Sequence, residues 1–230
     1  MTPAHIGQII GGVPASHESP SRVRRLGAAV AARPATLATA LAVLVVGIAL
    51  ARLNASDYQR VVQRVAVTPA ALRELRLWTL IAATLVQADP GLRVPFFTML
   101  AFVVGSLALL EGRVGSLRVV LVFFGAEFVV GPGRLVALAL LDRVDVAEAR
   151  RLLNVGDSGS SAAVLAVISA YVMLWPRRRA VVGFAVLAVW LVATSVPYRF
   201  DVELVHVIGV GFGVCVGEGL RCARTHPAPS

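Results

Sequence analysis

Apolar residues in this chain run in long blocks, and polar residues gather between the blocks instead of alternating with them. Six blocks dominate, at residues 34–53, 95–110, 117–131, 156–175, 180–197 and 201–219. A helix of ~20 apolar residues crosses a hydrocarbon layer of ~30 Å, so each block reads as a membrane span. Between the first two spans, residues 54–76 read as a mixed loop with short amphipathic helices at 58–65 and 69–76. The apolar stretch 77–85 is too short to cross as a helix and is predicted to be re-entrant, interfacial or packed on the bundle. Residues 132–154 read as a polar connection around a short apolar piece, 135–141. The predicted organisation is a cytoplasmic tail at 1–33, an all-α membrane domain of six transmembrane helices at 34–219, and a second cytoplasmic tail at 220–230.

Composition supports that reading. The chain has 230 residues, 57% hydrophobic and 15% charged, with mean hydropathy +0.79. A soluble domain of this size needs more polar surface than that. The net charge is +9 and all 22 basic residues are Arg. They lie between apolar runs, which points to anionic membrane lipid as a partner and not to nucleic acid. Two Cys, Cys215 and Cys222, and four scattered His make neither a disulfide framework nor a metal pattern, so no metal or cofactor is expected. Arg22, Arg24, Arg25 and Arg33 precede the first span, and Arg177–Arg179 follow the fourth. Both clusters fall inside if the N-terminus is cytoplasmic. The first block resembles a secretory signal, with Asn54-Ala55-Ser56 as a cleavage site. Its length and the spans that follow favour an uncleaved helix.

Two features carry chemistry. Gly156-Asp157-Ser158-Gly159 stands at the mouth of the fourth span, where a Ser between glycines sits at a positive helix end that suits an oxyanion. The plainer reading of Ser158 is an N-cap. His206 lies in the sixth span, with Gly209, Gly213 and Gly217 on its helix face. An intramembrane His is a functional candidate, and small residues at four-residue spacing let another helix approach. The plainer reading is a bonded His beside a packing seam. The fourth and sixth spans run in the same direction. Ser158 and His206 would then differ in depth by only ~5 Å, and a Ser–His dyad is a base-activated nucleophile. Glu127, inside the third span, is as consistent with pairing in the bundle as with function. Trp78 and Trp175 read as interface anchors.

The chain resembles the rhomboid family of intramembrane serine proteases from about residue 77 to 219. Ser158 in Gly156-x-Ser158-Gly159 matches the family's nucleophile motif. His206-x-x-Gly209-x-x-x-Gly213 matches its base and packing motif. Leu77-Trp78-Thr79-Leu80 resembles the Trp-Arg motif, with Thr79 in the Arg place. Glu111-x-x-x-Gly115-Ser116-x-Arg118 resembles the turn between spans two and three. The resemblance implies a six-helix rhomboid-like bundle in a bacterial plasma membrane. It also implies a dyad of Ser158 and His206, an oxyanion held by the backbone at Gly156, Asp157 and Ser158, and transmembrane protein segments as substrates.

The chain also departs from the family. Active rhomboids usually carry a His and an Asn at the start of the second span. The corresponding positions here are Leu92 and Phe96, or Val94 and Thr98. Gln87 stands where a His often follows the Trp-Arg stretch, and Ala162 replaces an aromatic residue after the nucleophile. Asp157 places a negative charge beside the proposed oxyanion. These departures keep a pseudoprotease that binds transmembrane segments without cutting them as the alternative. A small transporter or channel is disfavoured, because Glu127 and His206 are the clear intramembrane ionisable groups and no inverted repeat appears.

Overall fold

The computed structural model describes residues 32–87, 93–153, 155–195 and 200–225. Most of the predicted N-terminal tail, Leu92, and the last residues of the C-terminal tail lie outside these. The elements among the described residues are helical: α1 (Pro34–Ala51), α2 (Ala55–Val65), α3 (Pro69–Arg73), α4 (Trp78–Leu85), α5 (Val94–Val114), α6 (Ser116–Arg143), α7 (Ala147–Leu153), α8 (Ser161–Met173), α9 (Arg177–Ser195) and α10 (Phe200–Thr225). The one departure from helix pairing among them is an isolated antiparallel bridge between Val67 and Asp157.

Local sequence explains the helix ends. Proline opens α1 and α3 near their first positions, where its missing N–H costs nothing. The Asn54 side chain caps α2 by accepting from Asp57 N–H at 2.9 Å, and Thr68 caps α3 by accepting from Ala71 N–H at 3.1 Å. Gly115 joins α5 to α6 at φ +85°, a conformation that favours glycine.

Four segments are long and apolar enough to cross a membrane: α1, α5, α6 and Leu204–Arg224 of α10. The six-span expectation is thus met in part by this measure. α9 has 19 residues but opens on three arginines, and α8 has only 13 residues. The third predicted span does not stop at Gly131. It continues through Pro132 to Arg143 as one helix of 28 residues, which takes in the apolar piece predicted at 135–141. Arg134, Leu135 and Leu138 hold that extension by burial on α4 and α7. At 1.5 Å per residue the helix is ~42 Å long, more than a hydrocarbon layer needs.

α8 is the hub. It is hydrophobic all round and packs on α5, α6, α9 and α10, as a fully enclosed helix must. Its Ala163, Ala166, Val167 and Ala170 join Val103, Leu107, Val119 and Phe123 in the main core. Large apolar side chains of α1, α5, α6 and α9, such as Leu41, Phe102, Leu121 and Val189, face outward, as lipid-facing residues do. α2 lays Tyr58, Val61, Val62 and Val65 on Leu50 of α1 and on Val86.

Candidate functional site at the N-terminal end of α8

The fourth predicted span opens at Gly156, but the helix begins only at Ser161. Ser158 therefore lies outside the helix, and the near match in helical depth read from the sequence does not apply. The reason is non-local pairing. Asp157 N–H donates to Val67 O at 3.3 Å, and Val67 N–H returns a bond to Asp157 O at 3.0 Å. Gly159 N–H then donates to Ala83 O at 2.9 Å. Gly159 holds φ +127°, which L side chains rarely adopt, and a Cβ on Gly156 would lie 2.4 Å from Ala66 Cβ. Both glycines flanking Ser158 are therefore required by the backbone path.

Gln87 locks this segment to α2 at the end of α4. Its amide donates to Ser160 Oγ at 3.1 Å, and its backbone carbonyl accepts from the Tyr58 hydroxyl at 2.8 Å. Ser160 is fully buried, and its carbonyl starts α8 by accepting from Val164 N–H at 2.8 Å. Ser158 is half-buried and lines a cavity of ≈ 670 Å³ with Tyr58, Gln59, Gln63, Thr68 and Asp157. Residues of α2 form one wall of that cavity and the Gly156–Ser158 segment another.

The residues read from the sequence are brought together unevenly. Gly156, Asp157 and Ser158 share the cavity wall. Asp157 N–H is committed to Val67, so it does not serve as the oxyanion donor assigned to it. Gly156 and Ser158 N–H make no backbone hydrogen bond among the described residues. Gly209, Gly213 and Gly217 face α8 directly. A Cβ at these positions would lie 2.6 Å from Ala162 O, 2.2 Å from Ala166 O and 2.6 Å from Met173 Cβ. His206, one turn before Gly209, is 5% exposed and lies beside Trp190 of α9, with ring centroids 5.9 Å apart. Neither imidazole nitrogen has a hydrogen-bond partner among the described residues, so no bond joins His206 to Ser158.

The departures from the rhomboid pattern have structural uses. Phe96 is buried with its ring in the space left by Gly47 of α1. Thr98 is exposed and donates to Val94 O of its own helix at 2.9 Å. Thr79 is buried and donates to Arg76 O at 2.7 Å. None of the three offers a donor to Ser158.

Sequence reasoning missed three polar elements. In the sequence Gln87 reads only as a replacement for a His, although it ties α2 and the end of α4 to the start of α8. Arg134 reaches the carbonyls of Leu152 and Val155 at 3.2 Å each, fixing the approach to the Gly156 segment. Glu111 accepts from Ala35 N–H at 3.0 Å, Thr36 N–H at 2.9 Å, and the hydroxyls of Thr36 and Ser116 at 2.6 Å each. Only the pairing of Glu111 with the following turn was visible as a motif. Glu127 is buried, and its Oε1 makes no hydrogen bond among the described residues. Among the described residues, no group of three or more His, Cys, Asp or Glu is placed to hold a metal ion. No protein-family model, curated protein or solved structure matches the chain.

Proposed function

We propose that this chain is a rhomboid-like intramembrane serine endopeptidase of a bacterial plasma membrane, with its N-terminus cytoplasmic and α1, α5, α6, α8, α9 and α10 as its six spans. The observation that carries the reading is the glycine seam between α10 and α8. It sets His206, with both ring nitrogens buried and uncommitted, toward the end of α8 that follows Ser158. An apolar cavity of ≈ 220 Å³ between α5, α8 and α9 supports a hydrophobic substrate. Met99, Phe102, Leu165 and Trp190 line it, and Ser161 stands at its rim.

In this reading Ser158 Oγ attacks the scissile carbonyl while His206 takes the hydroxyl proton. The oxyanion rests on the N–H groups of Gly156 and Ser158. The C–N bond breaks as His206 returns the proton to the leaving amine. Water, activated by His206, then releases the acyl group from Ser158. The dyad must close on substrate binding, since catalytic hydrogen bonds often tighten only in the complex. α9, which buries little of its surface and places Trp190 beside the imidazole, is the element whose displacement would close the dyad.

Specific observations favour a second reading, a pseudoprotease that binds transmembrane segments without cutting them. His206 does not bond Ser158, the Asp157 N–H is spent, and Phe96 and Thr98 supply no oxyanion donor. Loss of one such donor costs ~10²–10³ in rate, which slows an active enzyme without abolishing it. The test is the purified chain in proteoliposomes with a fluorescent transmembrane substrate. Cleavage that disappears in Ser158→Ala and His206→Ala supports the protease. Substrate retention without cleavage, unchanged in Ser158→Ala, supports the pseudoprotease.

A further inference from the structure

The opposite end of α8 carries a different kind of site. A cavity of ≈ 320 Å³ is walled by Arg113 of α5, by Tyr171, Leu174, Trp175 and Pro176 at the end of α8, and by Arg179 of α9. The Arg113 guanidinium lies 6.0 Å from the Tyr171 ring centroid, and Tyr171 meets Trp175 edge to face at 5.6 Å. Arg224 at the end of α10 donates to the Arg113 carbonyl.

Glu111, two residues before Arg113, and Glu218 of α10 are already engaged. Glu111 accepts the four bonds described above, and Glu218 pairs with Arg221 at 2.6 Å. Among the described residues, neither Arg113 nor Arg179 pairs with a carboxylate. α9 starts at the same place. Its first hydrogen-bonded amides are those of Arg179 and Ala180, both on Pro176 O. The amides of Arg177 and Arg178 are therefore open at a helix N-terminus, where anions are favoured. Two uncompensated guanidiniums thus converge on an aromatic floor at the end of membrane helices. Arginine forks suit phosphate oxygens, and Trp and Tyr suit the headgroup level of a bilayer.

We infer that this cavity binds the phosphate of an anionic phospholipid headgroup. Arg113 and Arg179 take the phosphate oxygens. Tyr171 and Trp175 cover the glycerol region. The acyl chains follow the exposed apolar side chains of α9, Val182, Val186 and Val189. A free phosphate leaves Leu174, Pro176 and that apolar face without a partner, which is why a lipid is the occupant assigned. The inference is independent of proteolysis.

The test is thermal unfolding of the full chain in a nonionic detergent, titrated with phosphatidylglycerol, phosphatidylcholine or inorganic phosphate. Phosphatidylglycerol is expected to raise Tm at about tenfold lower concentration than phosphatidylcholine, a preference of ~1.4 kcal/mol. The double variant Arg113→Gln/Arg179→Gln should lose that preference and keep the lipid-free Tm, because both side chains are exposed. Arg150→Gln, which removes an exposed arginine from the Ser158 end, should keep the preference. If the double variant is unstable without lipid, Arg113→Lys/Arg179→Lys retains both charges and must retain the preference. Equal responses to the two lipids, or a preference that survives Arg113→Gln/Arg179→Gln, overturn the inference. So does inorganic phosphate alone reproducing the full shift, which would assign the site to the free ion.

Discussion

At the Ser158 end of the bundle, α8 stops short and irregular chain fills the gap. Val67, Ala83 and Gln87 tie the Gly156–Ser160 segment by backbone and amide bonds. At the Arg113 end the helices run almost to the turns, and one carboxylate, Glu111, gathers the start of α1 and the α5–α6 turn. The charges differ in the same sense. Arg60, Arg76, Arg150 and Arg151 at the Ser158 end pair with Asp57, Glu74, Asp142 and Glu148; at the other end Arg221 pairs with Glu218, whereas Arg113 and Arg179 have no carboxylate partner among the described residues. Each end keeps one set of groups uncommitted: imidazole nitrogens and two amides at the first, guanidiniums at the second. The difference follows from the length of α8. With α8 as one of the six proposed spans, its 13 residues rise ~20 Å against a layer of ~30 Å, which leaves ~10 Å at one end for non-helical chain. Such backbone survives at membrane depth only where protein or a water-filled cavity surrounds it.

The α8–α10 seam joins the two ends, so breaking it should have the largest effect. A side chain at Gly213 meets the Ala166 carbonyl and Ser169 Cβ, neither of which can swing away. Gly213→Leu is expected to cost about 3 kcal/mol or more, read as loss of monodisperse protein and a large fall in Tm. Gly211→Ala, with nothing within 4 Å, should leave Tm unchanged or slightly raised, which separates seam packing from helix propensity.

The next effect should be confined to the Arg113 end. Glu111→Ala strands two buried N–H groups and two hydroxyls, at about 3 kcal/mol. Hydrogen exchange should quicken at the start of α1 and change little around Gly159. A uniform change along the chain would show that the ends are not separable. The smallest effect belongs to Ser160→Ala, which removes the acceptor for Gln87 and should cost about 1 kcal/mol. Its exchange signature should appear at Gln87 and the start of α8, leaving α1 protected.

How much of this was legible depends on the range of the interaction. The runs that became α1, α5, α9 and α10 are local signals, and so is the four-residue spacing of Gly209, Gly213 and Gly217. The third span was expected to end at Gly131, with a polar connection from Pro132 onward, and proline does remove one helix hydrogen bond there. The burial of Arg134, Leu135 and Leu138 overrode it, and that burial depends on α4 and α7, distant in sequence. The late start of α8 was hidden for the same reason, since Val67 and Ala83 take the bonds of Asp157 and Gly159 from across the fold. At the site, Ser158 was visible from its glycines. The position of the His206 ring was not, because it lies beside Trp190 on another helix, α9.

The central claim is that Ser158 becomes a nucleophile when His206 reaches it. The direct measurement is labelling of the folded chain in liposomes with a fluorophosphonate probe, mapped by mass spectrometry. The expected result is modification at Ser158 and at neither Ser160, which is buried and bonded to Gln87, nor Ser161. Labelling should vanish in Ser158→Ala, fall at least about 100-fold in His206→Ala, and quicken in Asp157→Ala as the opposing charge is removed. Folded wild-type protein that takes no label, or label that persists in Ser158→Ala, would contradict the claim.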